Sequence, residues 1–401
     1  MRIIINECKK ILDIRIILLL CMFSILYYMT FTQIYRYLTG GQLTNTKYDI
    51  PFTAELVKEW GPKWKVKDEK QYQEKHQELE RGFAKIIKQD QELSKRGIVD
   101  YEIFNKKYEE LGQKTTLSKQ EKELGKILEN YVFYNDKTSK IFLDIQALEH
   151  IREFQGSEYG VSDKKYKELK ADGFFDGTKL YQKAIEKRVK RDYISLVHEG
   201  VFYILQEDMV TIGGLIMICF FALIIPYQLK QRLRQVIPIL ATTKTGRRIY
   251  QIQLIASALV ALFVGILQMA VYGIIWHLKG LSVFWRCESW GIASNSYWCD
   301  KLSFGTYMLL YMALILLFAI ASIVIIDFIG RTIGNYMGAV AVSIPVCGVM
   351  MFLMRKIYYM LFLITNDQVL AYWELYALAT WLIVMLLFYK IRSKRWKKVD
   401  L

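Results

Sequence analysis

The chain has 401 residues, of which 53% are hydrophobic, and its 54 Lys and Arg residues against 39 Asp and Glu residues give a formal net charge of +15. Residues 37–208 hold 31 basic and 31 acidic residues, so the other 229 residues, with 23 basic and 8 acidic ones, carry the whole excess. Because that excess lies in short connections between long apolar runs, the pattern excludes a soluble globular protein and is not the basic face of a nucleic-acid-binding domain.

Six apolar runs are long enough to cross a bilayer, which takes about 20 mostly apolar residues in a helix. They are Ile17–Tyr35, Met209–Pro226, Ile252–Trp276, Tyr307–Ile326, Ile333–Met354 and Tyr372–Tyr389. The first run is longer than a signal-peptide core and lacks a small-x-small cleavage site, so we interpret it as a retained anchor. We therefore predict an all-α integral membrane protein with transmembrane helix 1 at 17–36 and transmembrane helices 2–6 within 209–401.

The basic connections predict the orientation. The connection 228–250 has six basic residues and no acidic one, and the tail that begins at Lys390 has six basic residues and one acidic one. With six spans, both lie on the same side as the N-terminus, and the positive-inside bias makes that side the cytoplasm. We predict a multi-pass protein of a bacterial plasma membrane with both termini inside and the insert 37–208 outside.

The insert 37–208 is predicted to be a mostly helical extracytoplasmic domain. Apolar residues such as Phe83 and Ile86 recur at helical spacing, and the last predicted helix runs directly into the second span. Ser118 followed by Glu121 has the pattern of a capping box. The aromatic residues of the insert could bind an amphipathic ligand, but we favour the interpretation that most of them fill a small core.

Two cysteines lie in a connection predicted to face outward, Cys287 and Cys299. We expect a disulfide between them, since that compartment is oxidising; the alternative is two free thiols in an aromatic loop. Two cysteines without a nearby histidine do not make a metal site.

Sequence motifs of catalysis are absent. No P-loop, GxSxG, HExxH or CxxC pattern occurs, so we predict that the chain is not an enzyme and holds no metal or cofactor of its own. Carboxylates are nearly absent from the predicted spans, with Asp327 as the exception and Arg331 one turn after it. Intramembrane charges are functional candidates, but we favour a neutralised pair that snorkels at the edge of the span.

Two elements on the predicted cytoplasmic side are suited to contacts. Residues 1–16 read as an amphipathic surface helix with Ile4 and Ile11 on its apolar face and Glu7 on its polar one; a cytoplasmic extension of the first span explains the pattern equally well. The loop 228–250 combines an apolar patch with a basic rim, a pattern suited to docking another protein.

The run LATTKTGRR from Leu240 to Arg248 resembles the coupling loop of ABC-transporter permeases of the type V exporter class. The opening residues Asn6–Ile11 resemble the surface helix that begins many of them, and six spans with both termini inside is their layout. The resemblance implies a permease that pairs with a second permease and receives an ABC ATPase subunit, which would hold ATP and Mg. The residues expected at the ATPase contact are Thr242, Thr243, Lys244, Gly246, Arg247 and Arg248, with Arg232 and Arg234 at the start of the loop.

Two departures from the family stand out. Many relatives carry an acidic residue early in this loop, where this chain has Gln228 and Gln231, and simple members lack the large insert. The repeat of Gly330, Gly334 and Gly338 permits close helix packing, either between two permeases or in a tight turn between the fourth and fifth spans.

The function expected from these features is that of a permease subunit of an exporter that moves an amphipathic or hydrophobic substrate, such as a peptide, a drug or a lipid-like molecule. The alternative is a membrane receptor or secretion scaffold that transports nothing and presents the helical domain outside. The loop Leu240–Arg248 discriminates between them, because only the permease needs it for ATPase association.

Overall fold

The computed structural model describes residues 2–35, 46–65, 69–114, 116–156, 167, 171, 177–189, 193–233, 249–289, 296–297, 301–364 and 367–399. It is mostly helical, at 84%, which fits the predicted all-α membrane protein. The helices are α1 (Arg2–Ile11), α2 (Ile14–Phe31), α3 (Thr46–Trp60), α4 (Glu69–Ile87), α5 (Gln91–Lys95), α6 (Tyr101–Gln113), α7 (Lys119–Glu129), α8 (Asp136–Gly156), α9 (Lys179–Val189), α10 (Glu199–Leu233), α11 (Ile249–Leu278), α12 (Phe304–Thr332), α13 (Tyr336–Tyr358) and α14 (Trp373–Val399). The strands are β1 (Lys63–Lys65), β2 (Tyr193–Ser195), β3 (Ser296–Tyr297) and β4 (Leu363–Ile364).

Six of these helices, α2, α10, α11, α12, α13 and α14, are long and apolar enough to cross a membrane. They correspond to the six predicted spans and fit a multi-pass membrane protein. Helix α10 has 35 residues, a length of about 52 Å at 1.5 Å per residue, so it extends well beyond a hydrocarbon layer of about 30 Å. The helices are named below as the first to sixth spans in this order.

The second span is the centre of the helical bundle. In its most apolar stretch 78% of residues are buried, against 17% in the first and sixth spans. It packs against the first, third, fourth and fifth spans. A side chain at Gly213 or Gly214 would overlap Met354 or Met351 of the fifth span, so these glycines permit the close approach of the two helices.

Helix α1 is a separate element in front of the first span. The chain leaves it at Leu12, and Asp13 begins the next helix by accepting a hydrogen bond from the backbone N–H of Arg15. Helix α1 packs mainly on the third span. Glu7 was predicted on the polar face of this helix, but it is buried, with 4% of its surface exposed, because polar side chains of the second and third spans surround it.

The insert contains a helical core of its own. Phe104 packs edge to face on Phe83 and Phe142 at centroid distances of 5.2 and 5.6 Å, and the Phe83 ring lies tilted against Phe142 at 6.0 Å, between helices α4, α6 and α8. Among the aromatic side chains of the insert, Trp64, Tyr101 and Phe104 are buried, whereas Phe133 is exposed. The capping box of Ser118 and Glu121 is confirmed at the start of α7.

The insert is joined to the bundle through a short antiparallel pair of strands, β1 and β2. Glu288, in the connection between the third and fourth spans, forms an ion pair of 2.8 Å with Lys63 and accepts a hydrogen bond of 2.9 Å from Tyr193. The prediction that the last helix of the insert runs directly into the second span is confirmed, because α10 begins at Glu199 within the insert and continues to Leu233. Strand β2 lies between α9 and α10, because its backbone pairs with β1.

Candidate functional site

The candidate site lies at the end of the bundle where the second span ends at Leu233 and the third begins at Ile249, here named the basal end. Buried polar side chains are concentrated there and connect α1 with the second, third and fourth spans. Together with the exposed Arg232, they form a set that we name the basal network: Glu7, Tyr227, Gln228, Gln231, Arg232, Gln253, Asp327 and Arg331.

The centre of the network is an ion pair within the fourth span. Arg331 Nε lies 2.8 Å from Asp327 Oδ2, and the two side chains are 2% and 1% exposed. The expectation of a pair that snorkels to water is therefore wrong: the spacing of one helical turn is as predicted, but neighbouring helices cover both groups. Gln228 of the second span donates to Asp327 Oδ1 at 2.5 Å, and Arg331 donates to Gln253 of the third span at 2.7 Å.

A second carboxylate, that of Glu7, extends the network to α1. Its Oε2 atom accepts hydrogen bonds from the hydroxyl of Tyr227, from Gln231 at 3.3 Å and from Gln253 at 3.5 Å. Lys10 lies 2.5 Å from Oε1. Gln253 thus donates to Glu7 and accepts from Arg331, so one side chain at the start of the third span joins both charged groups.

Arg232 connects the end of the second span to the end of the fourth. Its guanidinium donates to the backbone oxygens of Arg331 at 2.9 Å and Thr332 at 2.6 Å. Carbonyls at a helix C-terminus lack partners within the helix and carry partial negative charge, so a cation is favourable there. This residue was predicted to contact an ATPase; the structure places it in a contact within the chain.

Aromatic contacts extend the arrangement to the sixth span. The Arg331 guanidinium lies 5.0 Å from the centroid of Tyr250, whose ring stacks on Tyr389 at 6.2 Å. Arg392 lies 4.6 Å from the ring of Phe328. The two ends of the connection 234–248 are therefore tied to α1 and to the fourth and sixth spans.

An apolar groove of about 550 Å³ lies beside the basal network. The second span forms its floor with Phe221, Ile225 and Pro226, while the first and fifth spans form its walls, with Leu19 and Ile344 among the wall residues. Ser343 and Tyr336 add polar atoms. Its surface is suited to an apolar chain or an amphipathic molecule.

Most of the loop residues predicted at the ATPase contact lie outside the described residues. These are Arg234, Thr242, Thr243, Lys244, Gly246, Arg247 and Arg248. Cys299 also lies outside them, and Cys287 is buried with its Sγ 3.5 Å from the carbonyl oxygen of Leu196. The disulfide stays a prediction. Among the described residues no group of three or more His, Cys, Asp or Glu side chains could hold a metal ion.

The three glycines predicted to serve helix packing have different places. Gly330 lies in the fourth span, where a Cβ would come within 2.8 Å of the Cβ of Gln228, so it permits close packing against the second span. Gly334 lies in the turn between the fourth and fifth spans, and Gly338 lies in the first turn of the fifth, where its N–H donates to Asn335 at 2.6 Å.

Sequence reasoning missed the glutamines at 228, 231 and 253 and the burial of Glu7. Polar residues at 227–232 were visible only as the start of a basic loop, and no local pattern indicates which residues they contact.

Comparisons of the chain with protein-family models, with curated proteins and with solved structures find no match.

Proposed function

We propose that the chain is the membrane subunit of a bacterial ABC exporter, which works with a separate ATPase subunit and a second permease. The observation that carries the proposal is the basal network, which ties both ends of the connection 234–248 to the fourth span and to α1. A loop that receives force from another subunit needs such anchorage, because a loose loop would move without moving the spans.

The network suits the transmission of movement from the loop. Except for those of Arg232, its hydrogen bonds lie in a buried environment, where they are stronger than in water and where breaking one leaves an unsatisfied polar group. A displacement of Gln228 and Arg232 therefore favours a joint movement of the second and fourth spans. The Glu7 contacts bring α1 into the same unit.

The groove supports the choice of substrate. An amphipathic or hydrophobic molecule would contact the apolar side chains of the first, second and fifth spans and meet the polar atoms of Tyr336 and Ser343. In the proposal, ATP and Mg bind to the partner ATPase, the loop residues 242–248 contact it, and the insert 37–208 lies outside the plasma membrane.

The test is purification of the tagged protein from its native host in mild detergent, with quantitative mass spectrometry of the co-purifying proteins. We expect a P-loop ATPase in stoichiometric amount, and its loss from a Gly246→Asp/Arg247→Glu variant. The matched control is Lys279→Asp/Arg286→Glu, which changes a connection on the opposite side of the predicted membrane and should retain the ATPase.

A second variant tests the role of the network. Gln228→Leu should leave the ATPase bound, because the residue contacts Asp327 rather than the loop. The rate of ATP hydrolysis should, however, change less when the ATPase binds this variant than when it binds the wild-type membrane subunit. The proposal would be refuted in favour of a receptor or scaffold if no ATPase co-purified with the wild-type protein, or if the ATPase bound only through the insert 37–208.

A further inference from the structure

A cavity of about 670 Å³ lies at the end of the bundle opposite the basal network. It is an open cavity lined by the last turns of the fifth span, the turn that follows it and the first residue of the sixth span. Its volume falls within the range of about 300–1,000 Å³ that small-molecule sites occupy. The side chains used below are Phe352, Arg355, Lys356, Tyr359, Asp367 and Trp373.

The cavity lies at the depth of a membrane–water boundary. The fifth span has 23 residues, a length of about 34 Å, so its last turn is at the edge of a hydrocarbon layer of about 30 Å. Tyr359 and Trp373 are of the residue types that concentrate at this depth. Phe352 is 59% exposed, one turn before Lys356, so the wall of the cavity continues into the apolar outer surface of the helix.

Two adjacent cations face this cavity, and neither is fully neutralised. Two guanidinium nitrogens of Arg355 each lie 3.4 Å from a carboxylate oxygen of Glu207 in the second span. These distances are longer than the roughly 2.7–2.9 Å of a strong charge-assisted hydrogen bond. Its guanidinium also lies 4.7 Å from the ring of Tyr359. The Lys356 ammonium lies 5.8 Å from the ring of Phe352, and no carboxylate of the described residues forms an ion pair with it.

We propose that this cavity binds the phosphate group of a phospholipid from the adjoining leaflet, with Arg355 and Lys356 as donors. Arginine presents a planar fork of donors that matches phosphate oxygens, and the neighbouring ammonium adds a second charge. The lipid chains would lie along the surface of Phe352. Asp367, which also lines the cavity, disfavours a second anion, so one phosphate is expected in each cavity. This inference does not depend on the proposed transport function.

The source of the phosphate follows from the location. A soluble phosphodiester would gain only the contacts with the two cations, whereas a lipid also leaves its chains in the apolar layer beside the helix. Binding should therefore require both the phosphate and the acyl chains. An anionic phosphatidylglycerol probe contains both.

The experiment measures binding of phosphatidylglycerol to the full-length delipidated protein by native mass spectrometry. We expect saturable binding, weakened about ten-fold or more in an Arg355→Gln/Lys356→Gln variant, since each charged hydrogen bond contributes substantially. Lys279→Gln/Lys301→Gln, which removes two cations at the same end of the bundle, should bind as the wild type does. Arg355→Lys/Lys356→Arg should retain most of the binding, and thermal unfolding checks that each variant is folded.

Two further probes separate the contributions. A diacylglycerol with a neutral sugar headgroup should bind at least about ten-fold more weakly, because it lacks the phosphate. Soluble glycerophosphoglycerol should not compete with the lipid. Equal binding of the neutral lipid, effective competition by the soluble compound, or unchanged binding by the folded Gln variant would each overturn the proposal.

Discussion

The buried ion pair of Asp327 and Arg331 makes a quantitative test of the basal network possible. Replacing Asp327 with Leu leaves the Arg331 charge in a site where its side chain is 2% exposed. Removing one partner of a buried pair costs about 3–5 kcal/mol. We expect Arg331→Met to cost a similar amount, since it leaves the carboxylate with only the amide of Gln228.

The double variant Asp327→Leu/Arg331→Met should be less destabilised than the sum of the two single variants. It removes both charges, and the remaining cost comes from Gln228 and Gln253, which lose the partners that they have at 2.5 and 2.7 Å. An unsatisfied buried polar group costs about 1–3 kcal/mol. The difference between the sum of the single effects and the double effect, the coupling energy, should be about 3 kcal/mol or more.

The measurement is denaturant-induced unfolding in detergent micelles, with the free energies of unfolding compared around the mutant cycle. Lys107→Gln provides the control, because it breaks an ion pair of the insert whose Lys107 and Glu110 side chains are 48% and 43% exposed. That change should cost no more than about 1 kcal/mol. A coupling energy near zero, with single variants as stable as the Lys107 control, would show that the pair is hydrated and refute the reasoning.

Three further predictions concern other parts of the molecule. Gly330→Ala should lower the stability of the protein, since its Cβ would come within 2.8 Å of a side chain of the second span. Gly334→Ala, whose Cβ would have its nearest neighbour at 3.9 Å, should be tolerated, and thermal unfolding distinguishes the two variants. Asp208→Ala should speed hydrogen exchange at the amide of Ile34, which donates to this buried carboxylate at 3.0 Å, and unchanged exchange would contradict the assignment. Hydrogen bonds from the Tyr131 hydroxyl and from two backbone N–H groups lower the pKa of Asp90, the residue that caps helix α5, below 3.8. The cap should therefore stabilise α5 above pH 3.8 and stop doing so as the pH falls through the lowered pKa. Hydrogen exchange of α5 should accelerate in that pH range in the wild type and much less in Asp90→Ala.

The sequence alone determined the six membrane helices, because the length and apolarity of a run are local properties and a hydrocarbon layer requires every backbone polar group to be paired within the helix. It also determined the capping box at Ser118, in which both partners lie three residues apart. The helical insert followed from the same local periodicity.

Only the tertiary structure decided which polar groups meet. Glu7 reaches Gln231 and Gln253 across 224 and 246 residues, and no local pattern distinguishes such a buried carboxylate from one on a solvated helix face. Strand β1 has three residues and forms only where β2 supplies its hydrogen-bond partners. The Asp327–Arg331 spacing was visible in the sequence, but its burial depends on the second and third spans packing over it, and that packing decides whether the pair is hydrated or part of a buried network.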